Sequence, residues 1–481
     1  EIKHQDEIPE AIFKIPNAFK QFKVFITRDV LSKLTNTQYL MINFIEAPLL
    51  AFILAYLVRY FNTDVDTTKG YIFSQNENMP AYMFMSVVVA LFIGLTVSAE
   101  EIIRDRKIRK RESFLNLSKG SYLWSKIIIM FVLSAIQTLT FVLVGNMVLG
   151  VKDMYLDYWM VLFTTSCFAN MLGLNISSAF NSAVTIYILI PFLIIPQLLL
   201  AGVVVKFDKL NPTLADQGGV PIAGEIMASR WAFEALAVNQ FKENKYERNF
   251  YKLEKSKSVA QYKKIYWITK LQGKITKIEN ELKAGKTLSD LKPHIDLLRN
   301  EVTKEQLFSK KISCEVLPSV NSSNYHEGTS KGLKDYFTRL YEYYNKIENS
   351  CYSKSDTLTN EMQRSIGGKA NFLKLQDDYE NESLNKLLKN SNNMGERCLE
   401  KDGRLIQQID PVFQDPTDSN FGRAHFFAPR KKFMGTLYPT YWFNILVIWM
   451  MSVSLMIMLY FDVFKKVLDV FGNIKFGKKK R

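Results

Sequence analysis

Six apolar runs, each long enough to cross a hydrocarbon core, govern what this chain can fold into. They cover residues 38–61, 79–99, 122–149, 157–180, 183–205 and 441–461. A bilayer core takes about 20 consecutive apolar residues per helix. A water-facing helix of that length needs a polar face, and these runs mostly lack one. Tyr60, Tyr122, Trp124, Tyr158, Trp159, Tyr441 and Trp442 stand near the ends of runs. That is where amphipathic rings meet headgroups. The expected class is an all-α polytopic membrane protein with six transmembrane helices.

Charge sets the orientation. Between the second and third runs, six of the eight residues from Arg104 to Arg111 are Lys or Arg. Short loops rich in Lys and Arg stay cytoplasmic. The basic end "KFGKKKR" is placed inside by the same rule, and six spans then put both termini in the cytoplasm. The loops 62–78 and 150–155 fall outside, as does the long segment 206–432. Long domains translocate largely regardless of charge, so its basic patches do not oppose this topology. The net charge of +15 belongs with a cytoplasmic membrane face, and no nucleic-acid partner is expected.

Ahead of the first run, Phe19, Phe22, Ile26 and Val30 recur at helical spacing, with Lys20, Lys23, Arg28 and Lys33 between them. Such a helix lies in the interface plane, apolar face down. Four regions follow: a connecting helix in 1–35, spans one to five in 36–205 with a cytoplasmic loop at 100–121, an extracytoplasmic helical domain in 206–432, and span six with a basic tail in 433–481. In the inserted domain, Ile265, Ile268, Leu271, Ile275, Ile278 and Leu282 form a packed helix face. That helix meets the next near Gly285. Further helical patterns run through "GLKDYFTRLYEYYNKIEN" and "ANFLKLQDDYENESLNKLLKN". Three of four cysteines lie here, Cys314, Cys351 and Cys398. An oxidising compartment permits one disulfide among them, and spacing does not choose the pair.

Catalytic chemistry has no foothold in the pattern. "AGKT" at 284–287 has Asn280 where a phosphate loop needs glycine, and its surroundings are helical. His4, His294, His326 and His425 are scattered, without metal-ligand spacing. No nucleophile has a motif around it, so no catalytic residue and no cofactor of its own are expected. Glu46 lies about ten residues into the first run. A carboxylate there costs roughly 2.5–3.5 kcal/mol unless paired or protonated. It reads as a gate or proton-linked group, or as a structural partner for a neighbouring polar group. Ala169, Gly173 and Ser177, four apart, suit close helix packing. Asn170, Asn175, Asn181 and Ser182 add polar groups toward that run's end. Pro191 and Pro196 interrupt the fifth run.

"EEIIRDRKIRKRESFLNLSKGSYLWSKI" resembles the loop after the second span in G-subfamily ATP-binding-cassette exporters and their bacterial relatives. The matching residues are Glu101, Arg104, Arg106, Arg111, Glu112, Tyr122 and Lys126. "FLIIPQLLLAGVVV", with Gly202, looks like that family's fifth span. "EIMASRWAFEALAVNQF", with Trp231, Glu234 and Ala235, looks like its outer re-entrant helix. The likeness covers 16–237 and 438–466 and leaves out the helical insert, which is large for the family.

The resemblance implies a coupling helix in the 100–121 loop that docks on a nucleotide-binding domain. Glu101, Arg104, Arg106, Arg111, Glu112, Phe114, Leu115 and Tyr122 are its candidate residues. Ile108 and Leu117 add to an apolar docking face. A basic loop merely anchored to anionic headgroups, at about 1 kcal/mol per cation, is the plainer alternative. The resemblance also implies a substrate cavity between two copies. Its wall would include Met85, Val89 and Phe92 from span two, and Leu198, Leu199 and Leu200 from span five. ATP and Mg would sit on the nucleotide-binding domain, which is fused ahead of Glu1 or is a separate chain. The absence of an initial Met favours fusion.

Together these readings describe the permease half of a homodimeric exporter in a bacterial inner membrane. It would move a hydrophobic or amphipathic substrate, such as a lipid, by alternating access. The rivals are a membrane-anchored sensor or scaffold whose outer domain binds a protein partner, and a polysaccharide or peptide permease of the same fold.

Overall fold

A computed structural model describes residues 16–60, 70–112, 117–211, 213–214, 219–308, 312–392, 395–416 and 421–473. The chain is mostly helical. The first helix, α1 (Ala18–Leu34), is capped by the Asn17 side chain on the Lys20 N–H. Next come α2 (Thr37–Val58), α3 (Met79–Ala99) and α4 (Glu101–Arg111), then α5 (Lys119–Leu149), α6 (Tyr155–Ala179) and α7 (Ala183–Leu199). Among the described residues five helices are long and apolar enough to cross a membrane: α2, α3 running on into α4, α5, α6, and α16 (Thr440–Tyr460). This is a multi-pass membrane protein. The expected fifth span falls short. α7 has 17 residues and rises about 25 Å against a core of about 30 Å. The apolar sequence continues to Val205, but Gly202 at φ +78° turns the backbone out of helix, and its missing Cβ admits the Phe207 ring.

The tightest packing in the bundle is α3 on α6. A Cβ on Gly94 would meet the Ser166 carbonyl at 2.6 Å, and one on Gly173 would meet Ser98 Oγ at 2.0 Å. The small residues of α6 therefore serve packing, as their spacing predicts. Ser177 adds a polar clasp, accepting from the Ile102 and Ile103 N–H groups at 3.1 and 3.2 Å. Asn170 donates to Ser134 Oγ at 2.7 Å, and Asn175 to the Leu455 carbonyl at 2.8 Å. Glu46 is half-buried, and among the described residues no ion pair reaches it.

Beyond α7 the chain forms α8 (Ile222–Glu225), α9 (Ala228–Lys242), α10 (Glu247–Tyr262), α11 (Ile268–Lys283), α12 (Lys292–Phe308), α13 (Glu327–Ser365), α14 (Lys369–Tyr379) and α15 (Glu382–Leu388). The all-α expectation needs a correction. Two antiparallel hairpins are present, β1 (Cys398–Lys401) with β2 (Arg404–Gln407), and β3 (Arg430–Phe433) with β4 (Thr436–Pro439). α9 is buried nearly all round and shares the core of the spans. A second core, from Ala260 to Leu405, belongs to helices α10–α13 and the first hairpin.

Within that second core, α10 and α11 are joined by a π turn at Lys263–Trp267. The wider turn shifts the helix phase. Trp267 goes inside, its indole N–H on Glu301 Oε2 at 2.6 Å, while Ile265 is exposed. Ile265 therefore leaves the face on which Ile268, Leu271, Ile275 and Ile278 are buried. Gly285, at φ +87°, makes the turn from α11 into α12, so "AGKT" is a link between helices. All four cysteines are buried and free, so the permitted disulfide does not form. Cys398 Sγ accepts a hydrogen bond from the Tyr262 hydroxyl at 3.2 Å. The last helix, α17 (Val463–Asn473), follows α16.

Candidate functional site: a buried charge cluster where three helices meet

The face that α1 turns to the protein is not its apolar one. Gln21, Phe25, Asp29 and Lys33, four residues apart, are its buried positions. Phe19 is open, Val30 partly so, and Phe22 and Ile26 are half-buried. The apolar side is thus left largely uncovered, and a polar side faces α4 and α5.

There Lys126 of α5, only 2% exposed, is surrounded by carboxylates from both other helices. Its ammonium lies 2.8 Å from Asp29, 3.2 Å from Glu101 and 2.8 Å from Asp105. Lys33 pairs with the other oxygen of Glu101, and Arg104 Nη2 approaches it at 3.3 Å. The Tyr122 hydroxyl donates to Asp105 at 3.2 Å. Three cations thus face three anions. Burial pulls the Lys33 ammonium below its usual range, with Glu101 and Asp29 opposing the shift. Ions this buried persist only when each is paired, because desolvation costs several kcal/mol per ion.

The expected coupling residues divide three ways. Glu101, Arg104 and Tyr122 meet in the cluster. Arg106 and Glu112 serve neighbouring ties: Arg106 reaches Asn181 and donates to the Phe180 carbonyl at 2.9 Å, and Glu112 pairs with Arg28 at 2.9 Å. Arg111 is exposed, and Phe114 and Leu115 lie outside the described residues. Ile108 is half-buried on α4. Leu117 departs from the expected docking face and packs beneath the cluster beside Phe25, Ile102 and Tyr122. The sequence reading missed Asp29, Lys33 and Asp105. A signal for the first two existed, since they continue the Gln21–Phe25 row at intervals of four.

The expected cavity residues of α3 lie on one open strip of an otherwise buried helix. Met85 and Phe92 are exposed on α3 and Val89 half so, with Thr96 extending the strip. Across α7, Val184, Ile188, Phe192, Ile195 and Leu199 are exposed, and only Ile186 and Ile190 are buried. Leu198 and Leu200 are half-buried.

A second buried network lies at the opposite end of the bundle. Glu234 of α9, fully buried, takes Lys431 of β3 at 2.7 Å, Asn444 of α16 at 2.9 Å and the Phe427 N–H at 3.0 Å. Arg230 stands 3.5 Å from Glu234 and 3.2 Å from Glu225. Burial brings the Lys431 ammonium down to about 8, against the pull of Glu234. Trp231, Glu234 and Ala235, expected on a re-entrant helix, are all buried, and Glu234 ties α9 to both β3 and α16.

Among the described residues no group of three or more His, Cys, Asp or Glu side chains forms a metal site. No curated protein matches the chain. Residues 20–241, which run from α1 to the end of α9, match the family model described as ABC-2 type transporter. That match supports reading this part of the chain as the membrane domain of a type-2 ABC permease, the component of an ABC transporter that spans the bilayer.

Proposed function

We propose that the chain is the permease half of a dimeric G-subfamily-like exporter in a bacterial inner membrane, with both termini cytoplasmic. α7 completes a six-helix set as its short fifth member, and 206–432 stands outside. ABC-2 permease domains generally work with a nucleotide-binding domain. Here α4 would be the part it grips, whether that domain is fused or separate. ATP-driven closure moves α4, and the population shifts between an inward- and an outward-facing state.

The observation that carries this reading is the six-charge cluster. It joins α1, α4 and α5, and α4 continues α3 in one helical stretch. Force on the cytoplasmic helix would therefore reach α3 through the continuous helix and α5 through paired ions rather than through a slack loop. The open strips on α3 and α7 are apolar, which favours a lipid or another amphipathic cargo between two copies. Single cysteines at Phe92 and Ile188 test the arrangement. Cross-linking between copies, sensitive to ATP and vanadate in the full complex, is expected. Absence of any inter-copy cross-link at either position would refute the cavity.

The separate core of the outer helices favours a second reading, a scaffold that binds an extracytoplasmic partner. A complex that hydrolyses ATP and moves no lipid or peptide would favour it.

A further inference from the structure

Asp157 opens α6 and Thr440 opens α16, at the end of the bundle opposite the charge cluster. Between them and the last turn of α9 lies a cavity of about 340 Å³, within the range of small-ligand sites. Its chemistry is mixed. Asp157 and Glu243 bring carboxylates, Lys242 an ammonium, Asn239 an amide, and Tyr441 and Trp442 bring rings. Lys242 and Glu243 pair at 2.8 Å, so Asp157 is left as the uncompensated charge. Asn239 is 7% exposed, and its amide lies beside the Asp157 carboxylate without completing a hydrogen bond. α16 begins at Pro439 without a side-chain cap. The Thr440 N–H is taken by the Pro429 carbonyl at 3.2 Å, and the N–H groups of the next residues add positive potential of the kind that holds phosphate.

The position narrows the ligand. Two spans begin here, and Trp442 is exposed at their rim, the depth where rings meet headgroups. Below it Leu446, Met450, Val453 and Ile457 are exposed at intervals of three and four, an apolar track running down α16. We propose that the cavity binds a phospholipid whose headgroup carries an ammonium, phosphatidylethanolamine being the simplest. The ammonium faces Asp157 and Glu243. The phosphate faces Lys242 and the start of α16. An acyl chain follows the track. This site is separate from the strips on α3 and α7 and does not depend on the export reading.

The test uses the purified full chain in detergent. Native mass spectrometry compares short-chain phosphatidylethanolamine, phosphatidylglycerol and soluble glycerophosphoethanolamine. One phosphatidylethanolamine per chain, preferred about tenfold over phosphatidylglycerol, is expected. The soluble headgroup should bind far more weakly. D157N/E243Q should bring the preference to about one, and L446D should weaken both lipids together. Should the double variant not fold, E243K on the cavity rim takes its place and should reverse the preference. Equal binding of the two lipids by the wild type overturns the proposal, as does a preference unchanged in the carboxylate variants. Soluble headgroup binding as tight as the lipid would assign the cavity to a phosphoester in solution and overturn it too.

Discussion

Replacing Lys126 with methionine removes the one cation that touches three carboxylates. Lys33 and Arg104 remain against Asp29, Glu101 and Asp105, so the cluster carries one unbalanced negative charge. Arg104 is 43% exposed at its side chain and partly solvated already, so it is poorly placed to compensate. One oxygen of Asp29 has no partner even in the wild type. Breaking a buried pair in this way costs about 3–5 kcal/mol. At roughly 2 °C per kcal/mol for a larger chain, melting in detergent should fall by about 6–10 °C. Neutralising Asp29 as well restores the balance of two against two. The double variant K126M/D29N should therefore recover about 1–3 kcal/mol relative to the sum of the single variants. Scanning fluorimetry on all four proteins gives the cycle. ATPase and transport in the full complex then separate stability from transmission: the rescued double variant should hydrolyse ATP while moving less cargo. Strict additivity, or a K126M loss below about 1 kcal/mol, would sink the argument that these ions are mutually dependent.

Gly173→Ala drives a methyl into Ser98 Oγ and should cost about 1–3 kcal/mol in detergent melting, with Ser98→Ala recovering part of it. The same change at Gly94 meets backbone, so no side-chain partner should rescue it. Glu247 is buried at the start of α10, and burial, then Glu254, pushes its carboxyl up to about 9. Between the usual 4.5 and about 9 the native state holds a proton that the unfolded state has released. Stability should therefore fall as pH rises through that window, by up to about 1.4 kcal/mol per unit. Glu247→Gln should remove the slope and be the more stable protein at pH 8, as melts across pH will show. Ile265→Asp should change stability by less than about 0.5 kcal/mol, whereas Ile275→Asp should abolish cooperative melting of the outer region.

The spans were legible because a run of apolar residues long enough to cross a bilayer has few other homes. Where α7 stops was not, because Leu198 to Val205 stays apolar while the backbone turns at Gly202. Periodicity assigned α1 correctly as a helix but did not show that its polar row is buried. Asp29 and Lys33 look like a solvated side until Lys126 and Glu101, far along the chain, arrive to pair with them. A buried ion and a surface ion have the same letter. Glu101, Arg104 and Tyr122 were found through resemblance rather than spacing, and Asp105 was passed over inside a loop that looked uniformly basic. The π turn defeated the register for a related reason. One extra residue in a helical turn leaves no mark in the sequence, yet it exchanges Ile265 for Trp267. The hairpins, four residues per strand, were too short to show alternation.

The continuous stretch from Met79 to Arg111 is 33 residues long, and Gly94, where it lies against the α6 backbone at Ser166, is near its middle. The geometry is that of a see-saw. With a rise of 1.5 Å per residue, about 22 Å of helix lies on one side of that fulcrum and about 26 Å on the other, so a tilt of roughly 5° displaces both ends by about 2 Å in opposite directions. A displacement of the basic end is thus matched by an opposite displacement of about the same size at the Met79 end. Because Gly94 has no side chain, the pivot can rest directly on the backbone of α6.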